Sequence, residues 1–429
     1  MTDTSTPRSA ETPGPSGVTR RRLLGTAGAT ALGATGAGAG YALARSGEPE
    51  GTPLSSVGAD TAMFHGKHQP GITTALHSRG HLIAFDLAPG AGRREAAALL
   101  RRWSATAERL MAGEAPEGDN GIALDSGPAM LTVTFGFGHR FFTRTGLESR
   151  RPVALDPLPP FSSDRLDPRR SEGDLWVQIG ANDGLVAFHA LRTLQTQAGG
   201  TARVRWQMNG FNRSPGATAR PMTARNLMGQ VDGTRNPKPS DPGFAQQVFV
   251  PDEPSGTGTA AVPGGGSPAW MAAGSYAVVR RIRMLLDPWE GLSLQEQEAV
   301  IGRHKSDGSP LTGGDETTEP DLEALGPDGL VIPLDAHARI SRPDQNGGAT
   351  MLRRPFSYHD GYDAKGVPDA GLLFVCWQAD PARGFVPVQR KLDRGDALSP
   401  FIRHEASGLF AVPGGAEPGG YVGQALLEG

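Results

Sequence analysis

The sequence predicts an α+β chain built from two similar halves. Strand-like runs interleave with amphipathic helical stretches, and the spacings between runs are hairpin-like. The same rhythm restarts after a polar stretch at 211–224 that carries Pro215 and Pro221 and reads as a join between halves. Glycine (60 residues) and proline (36) are abundant, so the fold is expected to be rich in loops.

In the first half, residues 81–87 (HLIAFDL) read as a strand. Arg93 to Gly113 reads as a helix with Ala97, Leu99, Leu100, Trp103 and Leu110 on one side. Residues 131–138 (LTVTFGFG) read as a strand ended by glycines, 175–179 as a strand and 185–197 as a helix. In the second half, 276–285 reads as a strand. Ser293 to Arg303 reads as a helix opened by a capping box of Ser293 and Glu296. Residues 371–378 (GLLFVCWQ) read as a buried strand, with Cys376 as an inert core thiol. Residues 254–266 read as a flexible surface insertion.

The first 45 residues read as an address rather than a fold. Arg20-Arg21-Arg22-Leu23-Leu24 precedes a weakly apolar, glycine-rich run that ends at Ala42-Leu43-Ala44. A basic segment, a moderate apolar run and an A-x-A site make a signal peptide, and paired arginines followed by leucines give it the twin-arginine type. An uncleaved anchor is the competing reading. No other segment reaches the roughly 18 apolar residues that span a bilayer. Residues 46–60 read as a linker. The twin-arginine route carries folded proteins, most of them already holding a cofactor.

Composition excludes several functions. A formal charge of −3 gives no footprint for nucleic acid or an anionic membrane. The single cysteine, Cys376, excludes intramolecular disulfides, cysteine zinc clusters and iron–sulfur ligation. The chemistry must therefore come from His, Asp, Arg and aromatic residues.

His65 and His68 are three apart, but Gly66 and Pro70 break any helix between them, so structural or substrate-edge roles outweigh metal ligation. His189 reads as packing. His77, His81, His139, His304, His359 and His404 have no partners in sequence that suggest chemistry. His337 lies in Pro333-Leu334-Asp335-Ala336-His337-Ala338-Arg339. In an extended segment Asp335, His337 and Arg339 would share one face, giving a carboxylate beside an imidazole and an arginine for an anionic group.

Gly-x-x-Asp-Gly occurs at 180–184 and 229–233, and in a chain this rich in glycine the bare pattern means little. Asp183 precedes an apolar helical run and reads as a helix-start residue. Asp232 sits in a turn-rich loop whose glycines allow close approach of a flat ligand.

Taken together, these segments resemble the dye-decolourising peroxidases, in the secreted branch that includes deferrochelatases. The resemblance runs from about residue 60 to 428. It rests on the segments at 66–72, 132–138 and 229–237, on Ser275-Tyr276 and Gly302-Arg303, and on those at 333–337, 351–354 and 371–374, in that order along the chain. It implies two ferredoxin-like halves of the dimeric α/β-barrel type, an N-terminal half at 61–218 and a haem-binding half at 219–429. It implies haem b, with His337 as proximal iron ligand, Asp232 as distal acid–base and Arg353 as distal arginine. Gly233, Thr234, Arg235 and Phe374 would line the haem, with Arg339, Arg342 and Pro343 nearby. Arg342 departs from secreted relatives, which usually carry a smaller amide there. The implied activity is oxidation of dyes, phenols or other organic donors by hydrogen peroxide. The alternatives are removal of iron from haem and non-catalytic haem carriage. A surface adhesion or structural protein is the reading from another class. Trp289, Trp377, Tyr358 and Tyr362 are candidates for relaying electrons, with packing the favoured role for each. Nucleic acid is not an expected partner; the twin-arginine translocase is, during export to the periplasm, cell envelope or exterior.

Overall fold

The computed structural model describes residues 56–218, 222–252 and 267–429. The expected signal peptide and the insertion at 254–266 lie outside them, as does most of the linker. Of the join at 211–224, residues 219–221 also lie outside.

Eight strands and five helices position the site. They are β1 (Arg79–Leu87), α1 (Arg93–Met111), β2 (Thr132–Gly138), β3 (Leu175–Ala181), α2 (Gly184–Ala198) and β4 (Ala202–Phe211). In the second half they are β5 (Ser275–Met284), α3 (Leu294–Ile301), α4 (His337–Ile340), β6 (Phe356–Tyr362), β7 (Pro368–Gln378), α5 (Phe385–Gly395) and β8 (Ile402–Val412).

Each half forms an antiparallel sheet of four strands, in the order β4-β1-β3-β2 and β8-β5-β7-β6. Numbered within its half, each sheet runs fourth, first, third, second, the ferredoxin-like order that the resemblance implies. The two sheets join at both edges. Phe410 and Ala411 of β8 pair with Gly138 and Phe137 of β2, and Phe211 of β4 pairs with Ser357 of β6. The strands therefore close into a ring, which leaves few sheet edges unpaired. A two-residue strand, Leu352–Arg353, adds to β7.

Strand alternation sorts the core. Leu82, Ala84, Trp176, Val279, Leu373 and Trp377 fill the inside of the ring. Ile83, Phe85 and Val177 point outward against Leu99, Leu100 and Trp103 of α1 and Leu191 and Leu194 of α2. On the second half the outward residues are Ile282, Met284, Leu372 and Phe374, and there the helices leave a cavity. Its floor depends on close pairing of β5 with β7. A Cβ on Gly371 would lie 2.0 Å from the carbonyl oxygen of Ile282, so only glycine fits there.

The capping expectations hold. Asp183 accepts from the backbone N–H groups of Leu185 and Val186. Ser293 and Glu296 form their capping box. Cys376 is fully buried, and burial pushes its thiol well above the ordinary range.

His77 shows how burial of a neutral imidazole shapes stability. It is 3% exposed, and its Nε2 lies 3.0 Å from the Met130 carbonyl. Burial, assisted by the charge of Arg354, pulls its pKa down to about 4 against the opposing pull of that carbonyl. In the unfolded chain the ring takes up a proton below about pH 6.5, whereas the folded ring stays neutral to about pH 4. Its contribution is complete above pH 6.5 and is lost as the pH falls toward 4, by about 3 kcal/mol. The stability difference between the protein and its His77→Gln variant, read from urea midpoints, is expected to shrink by about that amount between pH 7 and pH 4. A difference independent of pH would refute this.

Candidate active site

The cavity lies on the outer face of β5 and β7 and measures about 270 Å³. Ile282, Met284, Leu372 and Phe374 make an apolar floor.

One wall is the loop at 226–237. Asn226 folds it: its side-chain oxygen accepts from the N–H groups of Met228 (3.0 Å) and Gln230 (3.3 Å). Trp289, buried beneath, donates from Nε1 to the Met228 carbonyl at 3.1 Å. The loop then returns through the Asp232 N–H, which donates to Ala224 at 2.8 Å. This fixes the Asp232 carboxylate at the cavity. Gly233 follows with φ of 132°, a left-handed conformation that disfavours any side chain.

Arg353 faces Asp232 from the short strand beside β7. Its Nη1 lies 3.4 Å from Asp232 Oδ1, and Asn226 Nδ2 lies 3.4 Å from Oδ2. Asn236 sets this spacing. Its Oδ1 accepts from the Arg353 N–H at 2.8 Å, and its Nδ2 donates to the Arg353 carbonyl at 2.6 Å. The acid's loop is thereby tied to the arginine's strand.

His337 opens α4 and lines the same cavity. Its Nδ1 lies 2.7 Å from Oδ2 of Asp396, and Asp396 Oδ1 accepts from the Leu398 N–H at 3.0 Å. Asp396 caps the C-terminus of α5 and its side chain is 2% exposed. Burial alone would lower the pKa of His337, but the charge and hydrogen bond of Asp396 outweigh it, so the net shift is upward. With Nδ1 held, Nε2 is left for a ligand in the cavity.

The expected shared face of Asp335, His337 and Arg339 does not form, because residues 337–340 make a helical turn rather than an extended segment. The carboxylate on His337 comes from Asp396 instead. Arg339 does not line the cavity. Its Nη2 donates to the carbonyls of Leu322 and Ile332, the latter at 3.2 Å, which ties the approach to α4 together.

The remaining expected residues gather at the cavity: Gly233, Thr234, Arg235, Arg342, Pro343 and Phe374 all line it. Glu319 pairs with Arg235 (2.6 Å) and with Arg342, which also meets Asp344 at 3.0 Å. Glu316 accepts from Thr234 at 2.9 Å and from Thr223 at 2.5 Å. Arg235 and Arg342 thus present two guanidiniums at the cavity, suited to the carboxylates of a ligand.

Sequence reasoning missed Asp396, Asn226, Asn236 and Glu319. It also missed Arg280 and His404, which are 1% and 6% exposed and line the cavity. Arg280 pairs with Asp164. Burial, with the charge of Arg280, pushes the His404 pKa down to about 3. A signal for Arg280 was present: it falls on the apolar face shared by Ile282 and Met284.

Three of the other histidines sit on structural partners. His65 bridges the Ala416 carbonyl and Glu108, and His68 stacks on Phe249 at 3.5 Å. His189 is buried, 2.8 Å from Asp119. Among the described residues no group of three or more His, Cys, Asp or Glu could hold a metal ion. Of the aromatic candidates, Trp289, Trp377 and Tyr358 are buried core, and Tyr362 is exposed.

The family model described as "Dyp-type peroxidase, N-terminal" matches residues 69–212, and that described as "Dyp-type peroxidase, C-terminal" matches 223–417. The chain belongs to the Dyp-type peroxidase family. A dye-decolorizing peroxidase of Thermobifida fusca is 43% identical to it, over 96% of this chain and 98% of that one. A deferrochelatase of Yersinia pestis is 37% identical over 85% of this chain and 84% of its own. Among solved structures, a DyP-type peroxidase from Streptomyces coelicolor is 73% identical with a TM-score of 0.84, covering 88% of this chain and all of that one. This Dyp-type peroxidase is therefore an enzyme of the α+β, two-half architecture. Its cavity fits a haem group on its own evidence. A flat apolar floor, an imidazole held through Nδ1, an acid–arginine pair and two guanidiniums surround one space.

Proposed function

We propose that this protein is a haem b peroxidase that reduces hydrogen peroxide and oxidises dyes, phenols or other organic donors. The single observation that carries this reading is the convergence of His337, Asp232 and Arg353 on one cavity. Ferric DtpA from Streptomyces lividans, 73% identical to this chain, supports an iron group there.

His337 Nε2 would hold the iron, with Asp396 orienting the ring and keeping it basic. Arg235 and Arg342 would meet the haem carboxylates in exchange for Glu319. When bound, the haem supplies iron that accepts peroxide and takes up its oxidising equivalents. Asp232 takes a proton from the peroxide and returns it to the departing oxygen, a general acid–base role. Arg353 stabilises the negative charge that develops as the O–O bond breaks.

The export reading rests on the arginine pair and A-x-A site of residues 1–45. It places the mature protein in the periplasm, cell envelope or exterior, after the twin-arginine translocase carries it folded. The boundary between halves is placed at residues 218 and 219.

Relatives described as deferrochelatases support a second reading, release of iron from intact porphyrin. One experiment addresses both. The exported protein is purified with haem and given one equivalent of peroxide, and its absorption spectrum is followed. A Soret band that shifts rapidly, with donor consumption, is the expected result. An unresponsive Soret band together with free protoporphyrin would favour the deferrochelatase. No Soret band even after haem is added would sink the assignment of His337.

A further inference from the structure

Two residues at the rim of the haem cavity, Glu319 and Pro320, are barely held by the fold. They lie in the segment that joins α3 to α4. Upstream, Glu316 is anchored three ways. Its carboxylate accepts from Thr234 at 2.9 Å and Thr223 at 2.5 Å, and its carbonyl accepts from Arg303 Nη1 at 2.9 Å. The Asp315 carboxylate then holds the N–H groups of Thr317 and Thr318, at 2.8 and 3.0 Å. Downstream, the Asp321 N–H donates to Thr312 Oγ1 at 3.2 Å, and the Leu322 carbonyl accepts from Arg339. Between these anchors, among the described residues, no backbone hydrogen bond holds Glu319 or Pro320. Pro320 nevertheless lines the cavity. What keeps the pair there is the Glu319 carboxylate, which meets Arg235 at 2.6 Å and also pairs with Arg342.

Charge decides what must move when a dicarboxylate arrives. Arg235, Arg303 and Arg342 line this end of the cavity. Three carboxylates already face them, those of Glu316, Glu319 and Asp344. Burial would raise the pKa of Glu319, but the hydrogen bonds and charges of Arg342 and Arg235 outweigh it, so the net shift is downward and the group is an anion at neutral pH. Two haem carboxylates would make five anions against three cations, and like charges crowded in a partly desolvated space repel strongly. Glu316 is tied down through Thr223 and Thr234. Asp344 accepts from both Nε and Nη2 of Arg342 at 3.0 Å within its own turn. Glu319 has a side chain 55% exposed and no other support, so it is the carboxylate free to leave.

We propose that Glu319 and Pro320 form a gate for haem: the Glu319 carboxylate competes with the haem carboxylates for Arg235 and Arg342, yields as haem enters and recaptures both arginines as it leaves. The gate therefore lowers haem affinity and eases release. It rests on the haem reading of the cavity and is independent of peroxide chemistry.

The test uses the full-length, haem-loaded protein, with haem partitioned at equilibrium against apomyoglobin and read from the Soret bands. In Glu319→Gln the Kd for haem is expected to fall about threefold to tenfold, the range suited to exposed ion pairs. Glu323→Gln makes the same change of charge at an exposed position of the same segment, and its Kd should match that of the unaltered protein. Haem dimethyl ester, which has no carboxylates to compete, should bind Glu319→Gln and the unaltered protein equally. An unchanged Kd for haem in Glu319→Gln overturns the proposal, as does an equal fall for the ester. A raised Kd also overturns it, because Glu319 would then be holding haem in rather than competing with it. These outcomes presuppose a Soret band in the unaltered protein; if none forms after haem is added, the haem reading itself falls and the gate falls with it.

Discussion

The His337→Ala protein is expected to fold normally and to lose haem, with retention reduced by about 100-fold or more. Two histidines line the cavity, and their surroundings differ in the way that separates a ligand from a bystander. The side chain of His337 is 31% exposed, and its Nδ1 is taken by a buried carboxylate. That hydrogen bond fixes the tautomer and would leave Nε2 for iron. His404 is 6% exposed, has no partner at Nδ1 among the described residues, and sits beside the cation Arg280. It stays neutral for lack of room for charge, and nothing orients it toward a metal. His404→Ala should therefore keep its Soret band. Asp396→Asn should keep the ring in place but weaken retention by about 10- to 100-fold. His337 lies on a single turn at the cavity edge, outside the apolar core clusters, so circular dichroism should be unchanged. Added imidazole should restore part of the Soret absorbance to His337→Ala. A normal Soret band in that variant, lost instead in His404→Ala, would move the iron ligand to β8.

What was legible in the sequence follows from how local each signal is. The helix at 93–111 carries its apolar stripe within nineteen residues, and the capping box of α3 lies within four. Asp183 could be told from Asp232 because a helix cap has a local context, an apolar run that follows it. Other features are products of the tertiary fold. Asp396 meets His337 across 59 positions, and Asn236 meets Arg353 across 117. No spacing rule connects such pairs, and each partner reads by itself as an ordinary helix-end or loop residue. The expectation for Arg339 failed at the level of local conformation. An alternating Asp-x-His-x-Arg segment shares a face only when extended, and Pro333 and Ala336 instead lead into a turn of helix. The repeat of two halves was visible as rhythm, whereas the closing of both sheets into one ring was implied by the family resemblance and by no local pattern. That closure rests on three residue pairings between the halves, Phe410 with Gly138, Ala411 with Phe137 and Phe211 with Ser357.

Asp232→Asn is expected to leave haem content and the resting spectrum intact while lowering kcat/KM for peroxide by about 10²- to 10⁴-fold. Asparagine keeps the size of the side chain and can still face Asn226 and Arg353, so the change isolates proton transfer from packing. Neutralising Arg353, as Arg353→Leu, removes a different contribution. Asn236 holds the Arg353 backbone, and the guanidinium lies against Asp232. Losing that fixed charge should cost about 10²- to 10³-fold. The two effects should not add, because the 3.4 Å contact makes each group part of the other's environment. The double variant is expected to fall little below the worse single one. Single-turnover mixing with peroxide, monitored at the Soret band, separates these cases from any effect on donor oxidation. Should Asp232→Asn react at the full rate while Arg353→Leu collapses, the proton must travel through Arg353 and water, and Asp232 would serve only to hold the arginine. Should both collapse and the double variant fall by the product, the two groups act independently, and the close contact between them would have no role in the reaction.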